Sequence, residues 1–213
     1  MKNYSVYLFD FDYTLADSSR GIVICYRNVM ERHGFMGVSD ETIKRTIGKT
    51  LVDSFSIMIG VTDADRLEQF RREYVREADT HMTVNTLLFP ETANVLHELK
   101  RRGKRVGIIS TKYRYRIMEL IGKLFEPDFI DIIVGGEDVV EPKPSPEGIE
   151  LAVTRLGCKK EEVLYVGDSV VDAETAKAGS VDFLGVLHGA TRREELEEWD
   201  NVGIACDLEA LIE

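Results

Sequence analysis

The chain has 213 residues, a mass of 24.1 kDa and a hydrophobic content of 44%, enough for one good core or a core with a smaller appended unit. Lys and Arg number 27 against 38 Asp and Glu, and a formal net charge of -11 argues against nucleic acid, whose phosphates demand a basic face. No apolar run approaches membrane-spanning length and the N-terminus has no signal-peptide layout. Cys25, Cys158 and Cys206 lie far apart without C-x-x-C spacing, so free thiols in a reducing cytoplasm are expected.

In chain order, Val6-Tyr7-Leu8 comes first, an apolar run rich in Val and aromatics that reads as a buried strand. It leads into Phe9-Asp10-Phe11-Asp12-Tyr13-Thr14-Leu15. If the chain stays extended there, Asp10 and Asp12 project to one side at the carboxyl end of a strand. A strand running into an Asx-rich turn would give the same pattern. From Ser18 to about Thr83 the periodicity is helical, over residues 22–33, 51–58 and 66–78, with no strand pattern. Within it, Gly48-Lys49-Thr50 offers a loop bearing one cation, or simply a helix end followed by an exposed lysine.

From Pro90 onward, strands and helices alternate. A helix is expected over residues 91–101 and stops at Gly103; a strand over 106–110 ends in Ser110; a helix follows over 113–124. A strand over 129–134, a helix over 146–156 with Ser145 as N-cap and Pro146 in its first position, and a strand over 163–166 come next. Residues 181–187 and 202–205 complete the strand set. Such alternation implies an α/β fold with a doubly wound parallel sheet covered on both faces. The core would comprise residues 1–16 and 84–213, and the helical insertion of residues 17–83 would lie over Asp10 and Asp12.

Four segments fall at expected strand ends: Asp10-x-Asp12, Ser110-Thr111, Lys143 within Glu141-Pro142-Lys143-Pro144, and Gly167-Asp168-Ser169-Val170-Val171-Asp172. In a doubly wound sheet these ends converge on one crevice. Each has an ordinary explanation alone: a helix cap for Ser110-Thr111, a solvated loop for Lys143, first-turn acids for Asp168 and Asp172. Together they suit a phosphate ester. One carboxylate can accept a phosphoryl group, a second can move protons, hydroxyls and N–H groups can hold the transferring oxygens, and a lysine can offset the charge. Three or four of these carboxylates, with phosphate oxygens and water, form an all-oxygen shell appropriate to Mg²⁺.

This ordered set resembles the four motifs of the haloacid dehalogenase-like superfamily, and the resemblance spans essentially the whole chain. D-x-D-x-T is Asp10, Asp12 and Thr14; the hydroxyl ending a strand is Ser110; the lysine in its K-P-x-P setting is Lys143; G-D-x-x-x-D supplies Asp168 and Asp172. The resemblance implies a Rossmann-like core with an α-helical cap, Asp10 as nucleophile, and Asp12 as general acid and base. It also implies Mg²⁺ bound by Asp10 and Asp168 side chains and the Asp12 carbonyl, with Asp172 in or just outside the ligand shell. The segment Ser110-Thr111-Lys112-Tyr113-Arg114-Tyr115-Arg116-Ile117 is most similar to the phosphoglycolate phosphatase-like branch, so the expected substrate is a small phosphorylated metabolite. A β-phosphoglucomutase-type phosphomutase and a pyrophosphatase are alternatives with the same residues. Tyr13 departs from the family, which usually has Gly there. Retention of Asp12 argues against carbon–halogen cleavage.

Thr111, Lys112 and Lys49 are the candidates for substrate contact, Lys112 because it could reach a second anionic group. Arg114 and Arg116 read as surface charges, and the four histidines (His33, His81, His97 and His188) as structural or exposed, without metal-ligand spacing. Met30, Met36, Met58 and Met82 read as packing residues of the insertion and its hinge. A monomer or a homodimer fits the sequence equally.

Overall fold

A computed structural model describes residues 2–213. The central sheet is made of β1 (Val6–Phe9), β4 (Arg105–Ile109), β5 (Ile132–Val134), β6 (Val163–Gly167), β7 (Asp182–Val186) and β8 (Gly203–Ala205). All its pairs are parallel, in the order β5-β4-β1-β6-β7-β8. From β1 the chain winds outward through β4 and β5, then returns to the other side of β1 for β6, β7 and β8. The reversal at β1 is the switch point where open α/β sheets form a crevice.

β1 is buried on both faces, as a central parallel strand must be. Tyr7 and Phe9 join Val106, Ile108, Leu164 and Val166 in one apolar layer, against α5 (Thr92–Arg101) and α6 (Arg114–Leu124). Val6 and Leu8 face the other layer, with Val163, Tyr165, Ile149 and Ala173, under α7 (Glu147–Leu156) and α8 (Val170–Gly179). α9 (Arg193–Glu197) adds Leu196 to that layer. The expected strand over 129–134 is shorter: Phe129 and Ile130 pack against the α5/α6 layer, while Asp131 lies outside the strand and accepts from Val106 N–H and Lys100. The helix expected from Pro146 begins one residue later, with the Ser145 hydroxyl accepting from Glu147 N–H at 3.3 Å.

Residues between β1 and α5 form a separate helical layer: α1 (Ser19–Arg32), α2 (Asp40–Lys44), α3 (Leu51–Ile59) and α4 (Ala64–His81). Its own apolar cluster centres on Tyr26, Phe55, Phe70 and Tyr74, whose rings meet at 4.5 to 5.4 Å between Tyr26–Tyr74, Tyr26–Phe55 and Phe55–Phe70. Met30 and Met82 are buried in it, but Met36 is 70% exposed and packs nothing. The layer is entered through β2 (Ala16–Asp17) and left through β3 (Leu87–Leu88), which pair antiparallel. Leu15 O fixes this crossing by accepting from Phe89 N–H at 3.1 Å and the Thr92 hydroxyl at 2.8 Å.

Candidate active site

Asp10 continues the ladder of β1, its N–H donating to Val166 O at 2.9 Å. The chain then turns instead of staying extended. Leu15 and Ala16 N–H groups both donate to Phe11 O, and Tyr13 sits at φ 60°, a left-handed conformation that bulky residues seldom adopt. The turn gives the two acids different partners. Asp10 faces Lys143, whose Nζ donates to Asp10 Oδ1 at 2.8 Å. Asp12 faces the helical layer, where Ser18 Oγ donates to Oδ1 and Lys112 Nζ lies 3.1 Å from the same oxygen.

Lys143 also donates to Asp172 Oδ1 at 2.7 Å and to Tyr165 Oη at 3.2 Å, and Tyr165 in turn donates to Asp172 at 3.1 Å. Asp172 is held from its other side by α8 itself. Ser169 caps that helix, and its N–H and hydroxyl both donate to Asp172 Oδ2, at 3.1 and 2.6 Å. This is the capping-box arrangement of an N-cap serine and an acid three residues on. Gly167 makes room for it, since a Cβ there would lie 2.4 Å from the Asp172 side chain. Ser110, at the end of β4, is buried and accepts from Lys112 N–H at 3.3 Å. Thr111 lines one crevice with Ser110 and Lys143, and a second with Asp12 and Lys112.

One carboxylate oxygen from each of Asp10, Asp168 and Asp172 falls within 4.8 Å of the others, all three residues buried. Burial pushes Asp10 up to about 7, opposed by Lys143 and reinforced by the Asp172 and Asp12 charges. Burial, then Asp172 and Asp10, push Asp168 well above the usual carboxylate range. Burial alone would lower the Lys143 ammonium, yet Asp10 and Asp172 hold it well above the ordinary lysine value. Four carboxylates thus face two ammonium groups, Lys143 and Lys112. The surplus of buried negative charge fits a divalent cation with oxygen ligands. Asp172 already has both oxygens taken by protein donors, which leaves Asp10 and Asp168 as the better-placed ligands.

The helical layer closes over this crevice. Gly48, at φ +96°, sits so close to the core that a Cβ would lie 3.3 Å from Ser169 Oγ, and Lys49 beside it is exposed at the rim. A cavity of about 80 Å³ remains between the layers, lined by Asp12, Thr111, Lys112, Lys49, Tyr74 and Arg116 among others. Arg116 corrects a sequence expectation. It is 6% exposed, and its guanidinium crosses from α6 to α4, donating to Val75 O at 2.9 Å and pairing with Asp79. Nothing local marks it, since an arginine in the first turn of α6 reads the same whether buried or exposed. His188 was equally quiet in the sequence. Its ring stacks on Phe89 at 4.0 Å and lies 3.0 Å from both Thr14 O and Glu91 Oε1, tying the loop after Asp12 to the returning linker.

Comparison with known proteins gives this arrangement a lineage. The haloacid dehalogenase-like hydrolase family model matches residues 7–186. Pyrophosphatase PpaX of Oceanobacillus iheyensis is 33% identical over 183 residues, covering 84% of this chain and 81% of that protein. A phosphoglycolate phosphatase of Photorhabdus laumondii is 29% identical over 200 residues, 92% of this chain and 86% of its own. The crystal structure of a haloacid dehalogenase-like hydrolase from Bacteroides fragilis is 57% identical with a TM-score of 0.96, covering 98% of this chain and 99% of that one. The chain belongs to the haloacid dehalogenase-like hydrolase family.

Proposed function

We propose that the chain is a Mg²⁺-dependent phosphatase of a small phosphorylated metabolite, with residues 17–83 as a cap over a Rossmann-like core and a phospho-aspartate formed on Asp10. The observation that carries this is the buried contact of Asp10 with Lys143 at 2.8 Å, at the switch point of the sheet and beside Asp168. Asp10 Oδ attacks phosphorus, and the ester P–O bond breaks as the Asp10–phosphate bond forms. Asp12 gives a proton to the leaving oxygen and takes one back from the water that later cleaves the phospho-aspartate. Lys143 offsets the charge of nucleophile and phosphoryl group together, while Ser110 and Thr111 border the crevice where the transferring oxygens are held. Asp172 braces Lys143 and the first turn of α8. Asp10, Asp168 and the Asp12 carbonyl would hold Mg²⁺, which supplies charge neutralisation to an anionic nucleophile approaching an anionic ester.

Two substrate chemistries have specific support. Phosphoglycolate is favoured by the relative named for it, which covers most of this chain, and pyrophosphate by the relative named pyrophosphatase. Three free thiols without pairing, and no helix among the described residues long and apolar enough to cross a membrane, support a cytoplasmic setting. The test is phosphate release from a panel of short phosphate esters, sugar phosphates and pyrophosphate, with Mg²⁺ or EDTA, beside Asp10→Asn. Release that needs Mg²⁺ and disappears in the variant is the expected result. No release from any member by the folded wild-type chain with Mg²⁺ would overturn the phosphatase reading.

A further inference from the structure

Tyr165 is placed as a core residue, fully buried in β6 and packed with Val6, Leu8 and Ile149. Its hydroxyl nevertheless stands in the charged crevice. Oη lies 3.2 Å from Lys143 Nζ, 3.1 Å from Asp172 Oδ1 and 3.3 Å from the carbonyl oxygen of Ile109, the last residue of β4. The mechanism above gives this hydroxyl nothing to do. An ammonium has three N–H donors. Those of Lys143 meet Asp172 Oδ1 at 2.7 Å, Asp10 Oδ1 at 2.8 Å and Tyr165 Oη. Two of these acceptors are carboxylates and the third is neutral, because burial holds the Tyr165 phenol well above the ordinary tyrosine range. Accepting from Lys143 leaves the phenol one proton to give, and Asp172 Oδ1 is the nearer of its two acceptors.

We infer that Tyr165 is a positioning residue, whose hydroxyl keeps the Lys143 ammonium between Asp10 and Asp172 while Asp10 carries the phosphoryl group. The inference rests on the phosphatase reading. Before transfer, two carboxylates pull on the ammonium from nearly equal distances, 2.8 and 2.7 Å. Once Asp10 Oδ has bonded to phosphorus, its negative charge has moved outward onto the phosphoryl oxygens. Asp172 keeps its full charge, and its pull draws the ammonium toward α8, away from the bond that water must cleave. Two properties of Tyr165 oppose that drift. Oη accepts from Nζ at a fixed place, because the ring is packed inside the sheet layer. The phenol proton, given to Asp172 Oδ1, also occupies part of the oxygen that competes for Lys143. Phenylalanine at this position would keep the ring and lose both effects. One N–H of an ammonium only 4% exposed would then have no acceptor, a state relieved by leaning on Asp172.

The role belongs to the second half of turnover, so the test separates the two halves in wild type and Tyr165→Phe. Labelled 2-phosphoglycolate or pyrophosphate with saturating Mg²⁺ loads Asp10, unlabelled substrate is added as a chase, and acid quenching follows the loss of label from the protein. Formation of the phospho-aspartate is read separately from kcat/KM. The expected result is a breakdown rate at least about ten-fold slower in Tyr165→Phe, with kcat/KM changed less than about three-fold. A breakdown rate unchanged in the variant would overturn the inference. So would an equal loss in kcat/KM, which marks general damage to the site. In both cases phosphatase activity survives and only the role of Tyr165 fails. A second measurement needs no turnover: urea unfolding of the metal-free wild type, Tyr165→Phe, Lys143→Met and the double variant. The hydroxyl is expected to contribute less once Lys143 is gone, and strictly additive effects would overturn its hold on the lysine. Wild-type protein that releases no phosphate from any ester or from pyrophosphate removes the phosphatase reading and the role in turnover with it, while the unfolding cycle still decides the contact.

Discussion

Lys143 Nζ faces Asp10 at 2.8 Å and Asp172 at 2.7 Å, and the three side chains are 4%, 2% and 0% exposed. With that ammonium removed, two buried carboxylates lose their counter-charge. Lys143→Met is therefore expected to cost about 3–5 kcal/mol in urea unfolding of the metal-free protein; a change near zero would show that the acids are not held as the structure has them. Asp10 sets a second expectation. An unfolded aspartate loses its proton near 3.8, whereas burial holds the folded Asp10 up to about 7. Between those values the folded chain binds more protons than the unfolded one, so the metal-free stability falls as pH rises through that window. Mg²⁺ binds the ionised form, and its binding strengthens across the same range. Thermal melts with Mg²⁺ and with EDTA should show a larger Tm gain from Mg²⁺ at about pH 8 than at about pH 6; an equal gain would contradict this. At this scale the acids and Lys143 stand out in the sequence because their spacing and order have chemical meaning. Arg116 does not, because a buried arginine and an exposed one look alike until the carbonyl of Val75 and the carboxylate of Asp79 are seen across from it.

The helical layer meets the core along two unequal seams. On the α6 side, Arg116 is buried against α4, Arg71 donates to Tyr113 Oη, and Thr83 donates to Glu119. On the α9 side, Arg45 pairs with Glu195 at 3.1 Å with side chains 41% and 31% exposed. A half-exposed pair contributes about 0–1 kcal/mol. Truncating Arg116 removes a buried guanidinium stem and a hydrogen bond to a backbone carbonyl, worth about 2 kcal/mol. Urea titrations of Arg116→Met and Arg45→Ala should separate accordingly, with Arg116→Met the more destabilised, and the reverse order would contradict this account of the seams. Long amphipathic elements such as α1 and α4 declare themselves by period. α2 contributes one buried residue, Ile43, from five mostly polar ones, and β2 and β3 have two residues each, so neither carries a readable pattern. Phe129 reads as strand by composition, yet its ring stacks on Phe125 at 4.7 Å in a turn, where tertiary packing overrides propensity.

Across the whole molecule, the strand order β5-β4-β1-β6-β7-β8 explains why residues 133 positions apart, Asp10 and Lys143, can touch. Asp10, Ser110, Lys143 and Asp168 all follow the carboxyl ends of parallel strands, and the reversal at β1 gathers those ends under the helical layer. Alternating periods made that sheet readable in advance. How closely the layer shuts was not readable, since it depends on contacts such as Gly48 against Ser169 that no local pattern encodes. The arrangement converges on one chemical event, transfer of a phosphoryl group to Asp10. Acid quenching during turnover with Mg²⁺ and 2-phosphoglycolate or pyrophosphate, followed by mass spectrometry of the peptide carrying Asp10, tests it directly. The predicted result is a single phosphoryl mass gain on that peptide, absent in Asp10→Asn. Sustained phosphate release with no gain on Asp10, or undiminished release by Asp10→Asn, would contradict it.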